Sequence, residues 1–201
     1  MARRSDHSRD EIKEMAILAA EKMILADGQN GLSARKVAQE IGYTVGTLYL
    51  VFKNLDELIL HVNARTLNRL FEKMSIEQTS VSDSKTALLE LAHTYINFAQ
   101  SQSNLWKIVF EHRFQPGNDT PQWYKEQVTR MFDTVEKHLS RLAPKKTKAD
   151  IKDAARALWG GVHGICMLAI TDNLDIADVE SAEVLTQSLI NNYLEGFTRF
   201  Q

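Results

Sequence analysis

Between Arg9 and Asp27, the apolar positions Ile12, Met15, Ala16, Ala19, Ala20 and Met23 recur at intervals of three and four, which places them on one face of a helix. Ser8, followed three residues later by Glu11, has the capping-box spacing that opens such a helix. Gly28 and Gly31 interrupt the pattern. It resumes after Ser33 with Val37, Ala38 and Ile41 on the inner side of a short second helix, which Gly42 ends. Thr44 to Phe52 predicts a third short helix bearing Val45, Leu48, Tyr49 and Phe52. A fourth starts near Leu55 and carries Leu58, Ile59, Val62, Leu67 and Leu70 to about Met74. The polar run Ser75 to Ser84 reads as a loop and a domain boundary. Beyond it, five helices are expected at about 85–102, 104–113, 121–142, 148–171 and 179–199. Thr120 with Pro121 suggests an N-cap and first-turn proline, and Thr147 with Asp150 an acidic capping box. Pro116-Gly117 and Pro144 to Lys146 mark breaks. The expected fold is all-α with about nine helices: an N-terminal arm and three-helix unit over 1–54, a connecting helix over 55–74, and a larger helical domain over 83–201.

Composition narrows the class. The 201 residues hold 24 Lys and Arg against 26 Asp and Glu, three prolines, and 44% hydrophobic side chains, as in a globular chain with a real core. One cysteine, Cys166, excludes an internal disulfide and a zinc site built from cysteine pairs, and points to a reducing, cytoplasmic setting. The polar start, Met1 to Asp10, does not resemble a secretory signal. The longest nearly apolar segment, Leu158 to Ile170, is interrupted by His163, so no membrane span is expected.

Residues 33–52 carry the most specific pattern, two short helices around a glycine-containing turn. That geometry lets the second helix enter a major groove while the first crosses the phosphate backbone. Val37, Ala38, Ile41, Leu48 and Phe52 would hold the pair together. Arg35, Lys36, Thr44, Thr47, Tyr49 and Lys53 would face outward, where cations and hydroxyls can meet phosphates and base edges. A plain helical hairpin is the alternative. With Ser33-x-Arg35-x-Val37-Ala38, Gly46-Thr47-Leu48-Tyr49-x-x-Phe52 and Asp56-Glu57-Leu58, the chain resembles the TetR/AcrR family of bacterial transcriptional regulators, closely over about its first third. The resemblance implies that Thr44 and Tyr49 contact phosphates, while Val45, Gly46 and Thr47 approach base edges. Members of the family often carry a lysine at the start of the fourth helix, where this chain has Leu55, with Lys53 nearby. Arg3, Arg4 and Arg9 could form an arm on the DNA, or a solvated tail.

In the larger domain, Gly160, Gly161 and Gly164 interrupt a helix at a cost of about 1 kcal/mol each, which suggests close approach of another helix or a ligand. Trp159, His163 and Gly164 resemble the Trp-His-Gly effector domain of a subset of TetR-like regulators. Either His163 bonds an effector or it is a satisfied core histidine. Cys166 reads as a small hydrophobe, with a redox role as the alternative. Tyr95, Phe98, Trp106, Phe110, Phe114, Trp123 and Phe132 could line an apolar cavity or merely build core. Glu111, His112 and Arg113 are the polar groups placed to orient an effector. The apolar surface of the last two helices, including Ile165, Leu168, Leu185, Leu189 and Tyr193, exceeds what one small bundle needs, and the resemblance implies a two-fold homodimer.

The implied function is a homodimeric repressor, released from a palindromic operator by a small, largely apolar effector, with no cofactor and no metal. Glu90 and His93 have the Glu-x-x-His spacing of di-iron bundles, but a second copy is missing, so an enzyme is the lesser reading, as is a protein-only adaptor. Residues 1–53 hold 8 basic against 7 acidic groups, and 54–201 hold 16 against 19. With so little excess positive charge, DNA binding must rest on a few placed contacts, doubled in a dimer.

Overall fold

The computed structural model describes residues 7–77, 83–112, 120–174 and 181–199. Among the described residues there are nine α-helices and no strand: α1 Arg9–Asp27, α2 Ala34–Glu40, α3 Val45–Val51, α4 Leu55–Glu77, α5 Ser84–Ser101, α6 Ser103–Glu111, α7 Gln122–Leu142, α8 Lys148–Ile170 and α9 Ala182–Arg199. A 3-10 turn, Gln29–Gly31, joins α1 to α2.

Helix starts follow local hydrogen-bonding chemistry. Both predicted capping boxes form: the Ser8 and Thr147 hydroxyls accept from the amides of Glu11 and Asp150, whose carboxylates accept in return from the cap amides. Ser33, Thr44 and Asp83 cap α2, α3 and α5. The Thr120-Pro121 expectation needs correction. Pro121 itself, with φ −59° and ψ 149°, occupies the cap of α7, and its carbonyl accepts from Tyr124 and Lys125 without help from a side chain. In addition, α4 runs on to Glu77, so the first residues of the predicted loop are helical. The break at Pro116-Gly117 lies outside the described residues.

The chain divides into two compact units. The first holds α1 to α3, α4 as far as Thr66, and the segment beginning at Asn104, which contains nearly all of α6. Its core joins Ile12, Ala16, Ala20 and Ile24 of α1, Val37 of α2, Leu48 of α3, and Leu58, Ile59 and Val62 of α4 with Leu105 and Ile108 of α6. Arg65 ties α4 to α1 through Glu14 and, at 3.4 Å, the buried Glu21. His112, just past α6, receives a bond from Gln29 Nε2 at 2.9 Å and donates from Nε2 to the Asp56 carboxylate at 2.9 Å. A residue read as an effector contact thus staples three elements of the first unit.

The second unit holds α4 from Leu67, α5, and α7 to α9. Here α5 packs against α7, α8 and α9 through Ala87, Leu88, Leu91, Ala92, Tyr95, Ile96 and Ala99, all buried. Close approach explains one of the three glycines in α8. A Cβ on Gly161 would stand 2.6 Å from Leu189 Cδ2, so its absence lets α9 approach α8 there. Gly160 and Gly164 are exposed and meet nothing within 4 Å. Cys166 is fully buried, and burial pushes its thiol up to about 12, which suppresses the reactive thiolate.

If α6 is integral to the first core, Ile108→Ala should destabilise that unit by about 3 kcal/mol through lost transfer energy and a residual cavity. Hydrogen exchange of α1 amides should speed up in parallel. Unchanged α1 protection would show that α6 is peripheral.

Candidate functional site

In the first unit, the short helices α2 and α3 stand on buried Val37, Ala38, Ile41, Leu48 and Phe52, the five positions expected to hold them. The turn between them needs Gly42, whose φ of +75° is strained for a residue with a side chain. The Tyr43 amide donates to the Ala38 carbonyl at 2.8 Å, closing that turn. Two residues at the start of the chain brace the arrangement. The Tyr43 hydroxyl and His7 Nδ1 share a hydrogen bond of 2.8 Å, and the Arg9 guanidinium donates to the Leu50 carbonyl of α3. Arg3 and Arg4 lie outside the described residues.

The outer side of α3 is a polar and aromatic surface. Thr44 caps the helix by accepting from the Thr47 amide at 3.2 Å, and the two hydroxyls share a second bond of 3.0 Å. The two threonines are therefore held as one hydroxyl pair. Gly46 is exposed, and Val45 and Thr47 are half-buried. Tyr49 is 46% exposed and Leu50 65%, which is large for apolar surface on a small helix and adds Leu50 to the residues named from the sequence. Arg35, Lys36 and Lys53 are exposed. Lys36 Nζ donates to the Gly31 carbonyl at 2.9 Å, so this cation is engaged at the 3-10 turn. At the start of α4, Asn54 Oδ1 accepts from the Glu57 amide at 2.9 Å, and Glu57 accepts from the Lys53 amide at 2.5 Å. Leu55 packs toward the core.

The second unit contains an apolar cavity of ≈ 50 Å³. Among the described residues, its wall is formed by Met74 of α4, Leu88, Leu91, Ala92 and Tyr95 of α5, Val135 of α7, Leu158, Trp159 and Val162 of α8, and Ile190 of α9. The Tyr95 hydroxyl and His163 Nδ1 share a hydrogen bond of 2.8 Å, and the Trp159 and His163 rings lie 5.0 Å apart. Burial lowers the His163 pKa and favours the neutral imidazole.

Of the effector residues expected from the sequence, Tyr95 and Trp159 line this cavity and His163 is joined to it through Tyr95. Phe132 sits edge-on to Trp159 at 5.8 Å, beneath the Arg156 guanidinium. Phe98 is buried elsewhere, with Lys73 Nζ 5.6 Å from its ring, and Trp123 is exposed against Tyr124. Trp106 and Phe110 pack on each other at 4.8 Å in the first unit. Arg113 and Phe114 lie outside the described residues. The sequence does not mark the aliphatic wall, because leucines and valines at helical spacing look the same whether they face a cavity or a neighbour. Among the described residues, no group of three or more His, Cys, Asp or Glu side chains is placed to hold a metal ion.

Comparison with known proteins fits both parts of the chain. Residues 16–62 match the family model described as bacterial regulatory proteins, tetR family. Residues 88–193, more than half of the chain, match that of the tetracyclin repressor-like C-terminal domain. The chain belongs to the TetR family.

Within 52 residues, 26% of the chain, it is 36% identical to a protein described as an uncharacterized HTH-type transcriptional regulator of Haemophilus influenzae, and the match spans 28% of that relative's length. A protein of unknown function from Rhodococcus sp. RHA1 shares the fold at 19% identity with a TM-score of 0.76, over 98% of this chain and 100% of the other. A single-residue variant of TetR from Acinetobacter baumannii AYE, in complex with minocycline, has a TM-score of 0.65 at 18% identity, over 93% and 96% of the two chains. The matched TetR-family models take in the whole of α2 and α3 at one end, and Trp159, His163 and Gly164 at the other. The chain is thus a DNA-binding transcriptional regulator with a helix-turn-helix. No helix among the described residues is long and apolar enough to cross a membrane.

Burial lowers the pKa of His61, His138 and His163 from the usual 6.5. Each binds its proton more readily in the unfolded chain, so stability is complete above pH 6.5 and declines as pH falls below it. Thermal unfolding should therefore show a falling melting temperature from about pH 7 to about pH 5, with a shallower fall in His163→Gln. A flat profile over that range would contradict the assignment.

Proposed function

We propose that this TetR-family chain is a homodimeric repressor that binds a palindromic operator through α3 and is released by a small, largely apolar effector held in the second unit. The observation that carries the DNA-binding part is the two-sided build of α3. Its inner residues Leu48 and Phe52 are 1% and 2% exposed, while the linked hydroxyls of Thr44 and Thr47, the bare backbone at Gly46, and Tyr49 face outward. Hydroxyls suit phosphate oxygens, and a glycine lets the helix backbone come close to base edges. Thr44 and Tyr49 are assigned to phosphates, Val45, Gly46 and Thr47 to bases, and Arg35, Lys36 and Lys53 to flanking phosphates. Lys53 takes the part of the family lysine, because Leu55 is turned to the core.

The dimer reading rests on α8 and α9. Ile165, Leu168, Leu185, Leu189 and Tyr193 stay half-buried, Val184 is 54% exposed, and Gly160 and Gly164 leave α8 bare for a second helix. A two-fold axis there would set two recognition helices about 34 Å apart, one turn of DNA. The effector reading rests on the cavity beside Tyr95, Trp159 and His163, and on the minocycline complex of the A. baumannii neighbour. A ligand that binds better to a conformation with misplaced recognition helices weakens operator binding by linkage. Helix α4, which starts in the first unit and ends in the second, is the covalent lever. The setting is cytoplasmic.

Selection of binding sites from a random duplex pool by the full-length chain should enrich an inverted repeat with half-sites one turn apart. Thr47→Ala and Tyr49→Phe should each weaken binding to the selected duplex by about 10-fold. Enrichment of no sequence, or of isolated half-sites, would overturn the operator reading.

A further inference from the structure

The outer side of α3 ends in an apolar side chain that hydroxyl-to-phosphate contacts give no use. Leu50 is 65% exposed, and among the described residues only Ile76, at 70%, is a more exposed large apolar side chain. Leu50 stands four residues after Gly46 and three after Thr47, so the three share one side of the helix. The Cα–Cβ bond of a helical residue tilts toward the helix N-terminus, which leans the Leu50 side chain over the turn that holds Gly46. Gly46 is exposed, and a Cβ placed on it would have the Thr44 hydroxyl 3.6 Å away. The place of Leu50 is also held from outside. Its carbonyl lies in the last turn of α3, where carbonyls lack a partner within the helix, and the Arg9 guanidinium donates to it. A leucine so placed against phosphate oxygens displaces their water and gives no bond in return. Sugar carbons accept it, but they are the same at every position. Among base edges in the major groove, thymine carries the apolar group, its C5-methyl, while the others present donors and acceptors.

We infer that Leu50 is a specificity-determining residue that reads the C5-methyl group of one thymine in each half of the operator, beside the bare backbone of Gly46. The inference rests on reading α3 as the helix that enters the major groove, and it names the base chemistry met by the last turn of that helix. Burial of the methyl group against Leu50 favours thymine, whereas adenine, guanine or cytosine at that place loses water without a bond in return. Val45, apolar and half-buried at the start of α3, is a second group that a thymine methyl can meet, and substitution of Leu50 separates the two.

Deoxyuridine pairs as thymidine does and lacks only the C5-methyl, so exchanging one for the other isolates that contact. In the duplex selected by the full-length chain, each thymine is replaced in turn by deoxyuridine, in both half-sites together, and binding is titrated by fluorescence anisotropy at one fixed salt concentration. At one symmetry-related pair the exchange should weaken wild-type binding by about 4-fold per half-site, the worth of one buried methyl group. Leu50→Ala should bind the thymine and deoxyuridine duplexes equally at that pair, keep the wild-type response at other thymines, and unfold cooperatively at about the wild-type temperature, as for a surface position. A flat deoxyuridine series in the wild type, the same loss in Leu50→Ala, or selected half-sites made only of G·C pairs would each overturn the inference, while an enriched inverted repeat keeps the operator reading standing. A Leu50→Ala variant that weakens every duplex equally, with a flat series in the wild type, puts Leu50 on the sugar-phosphate backbone and overturns it too. If isolated half-sites are enriched and the methyl effect still vanishes in Leu50→Ala, the inference stands and the operator reading falls. Enrichment of no sequence sinks both.

Discussion

Seven residues do not make a stable helix in water, because the cost of nucleation is spread over too few hydrogen bonds. Both helices of the DNA-binding motif are that short, so α2 and α3 exist as helices only while Val37, Ala38, Leu48 and Phe52 are buried against their neighbours. Everything that concerns DNA depends on that burial. The hydroxyl pair of Thr44 and Thr47 sits where it does because Leu48, one residue on, is anchored in the core. Gly42 supplies the backbone turn that orients one helix on the other, and His7 and Arg9 hold the turn and the end of α3 from outside.

The same core explains the place of α6. Leu105 and Ile108 enter the apolar cluster of the first unit, and His112 completes the attachment through Gln29 and the acidic first turn of α4. An acidic side chain at a helix start is already favoured by the helix dipole. Asp56 therefore serves α4 and anchors His112 together. In the second unit, α5 plays the central part, and the cavity lies among α5, α8 and their neighbours, where side chains are small or aliphatic enough to leave space.

Much of this was legible in the residues. Helical periodicity located the elements, and the hydroxyl-carboxylate spacings at Ser8 and Thr147 marked two helix starts because capping is a local bond that needs no tertiary partner. The motif over 33–52 was legible for the same reason: its turn glycine and inner apolar positions are local requirements. The start of α7 is not legible in this way, since Thr120 and Pro121 compete for one cap position and only the backbone decides between them. Of the described aromatic residues named for the effector, only Tyr95 and Trp159 reach the cavity wall, because helical spacing specifies a face but not what that face meets.

The set of helices, several of their caps and the polar outer face of α3 are thus written along the chain, because interactions within a few residues govern them. Which helices share a core is a matter of long-range packing. The attachment of α6 to the first unit, the close contact of Gly161 with Leu189, and the pairing of Tyr95 with His163 all join residues far apart in the chain. Apolar burial is non-directional, so a stripe of leucines states that a face will be covered and leaves its partner to the packing of the whole unit.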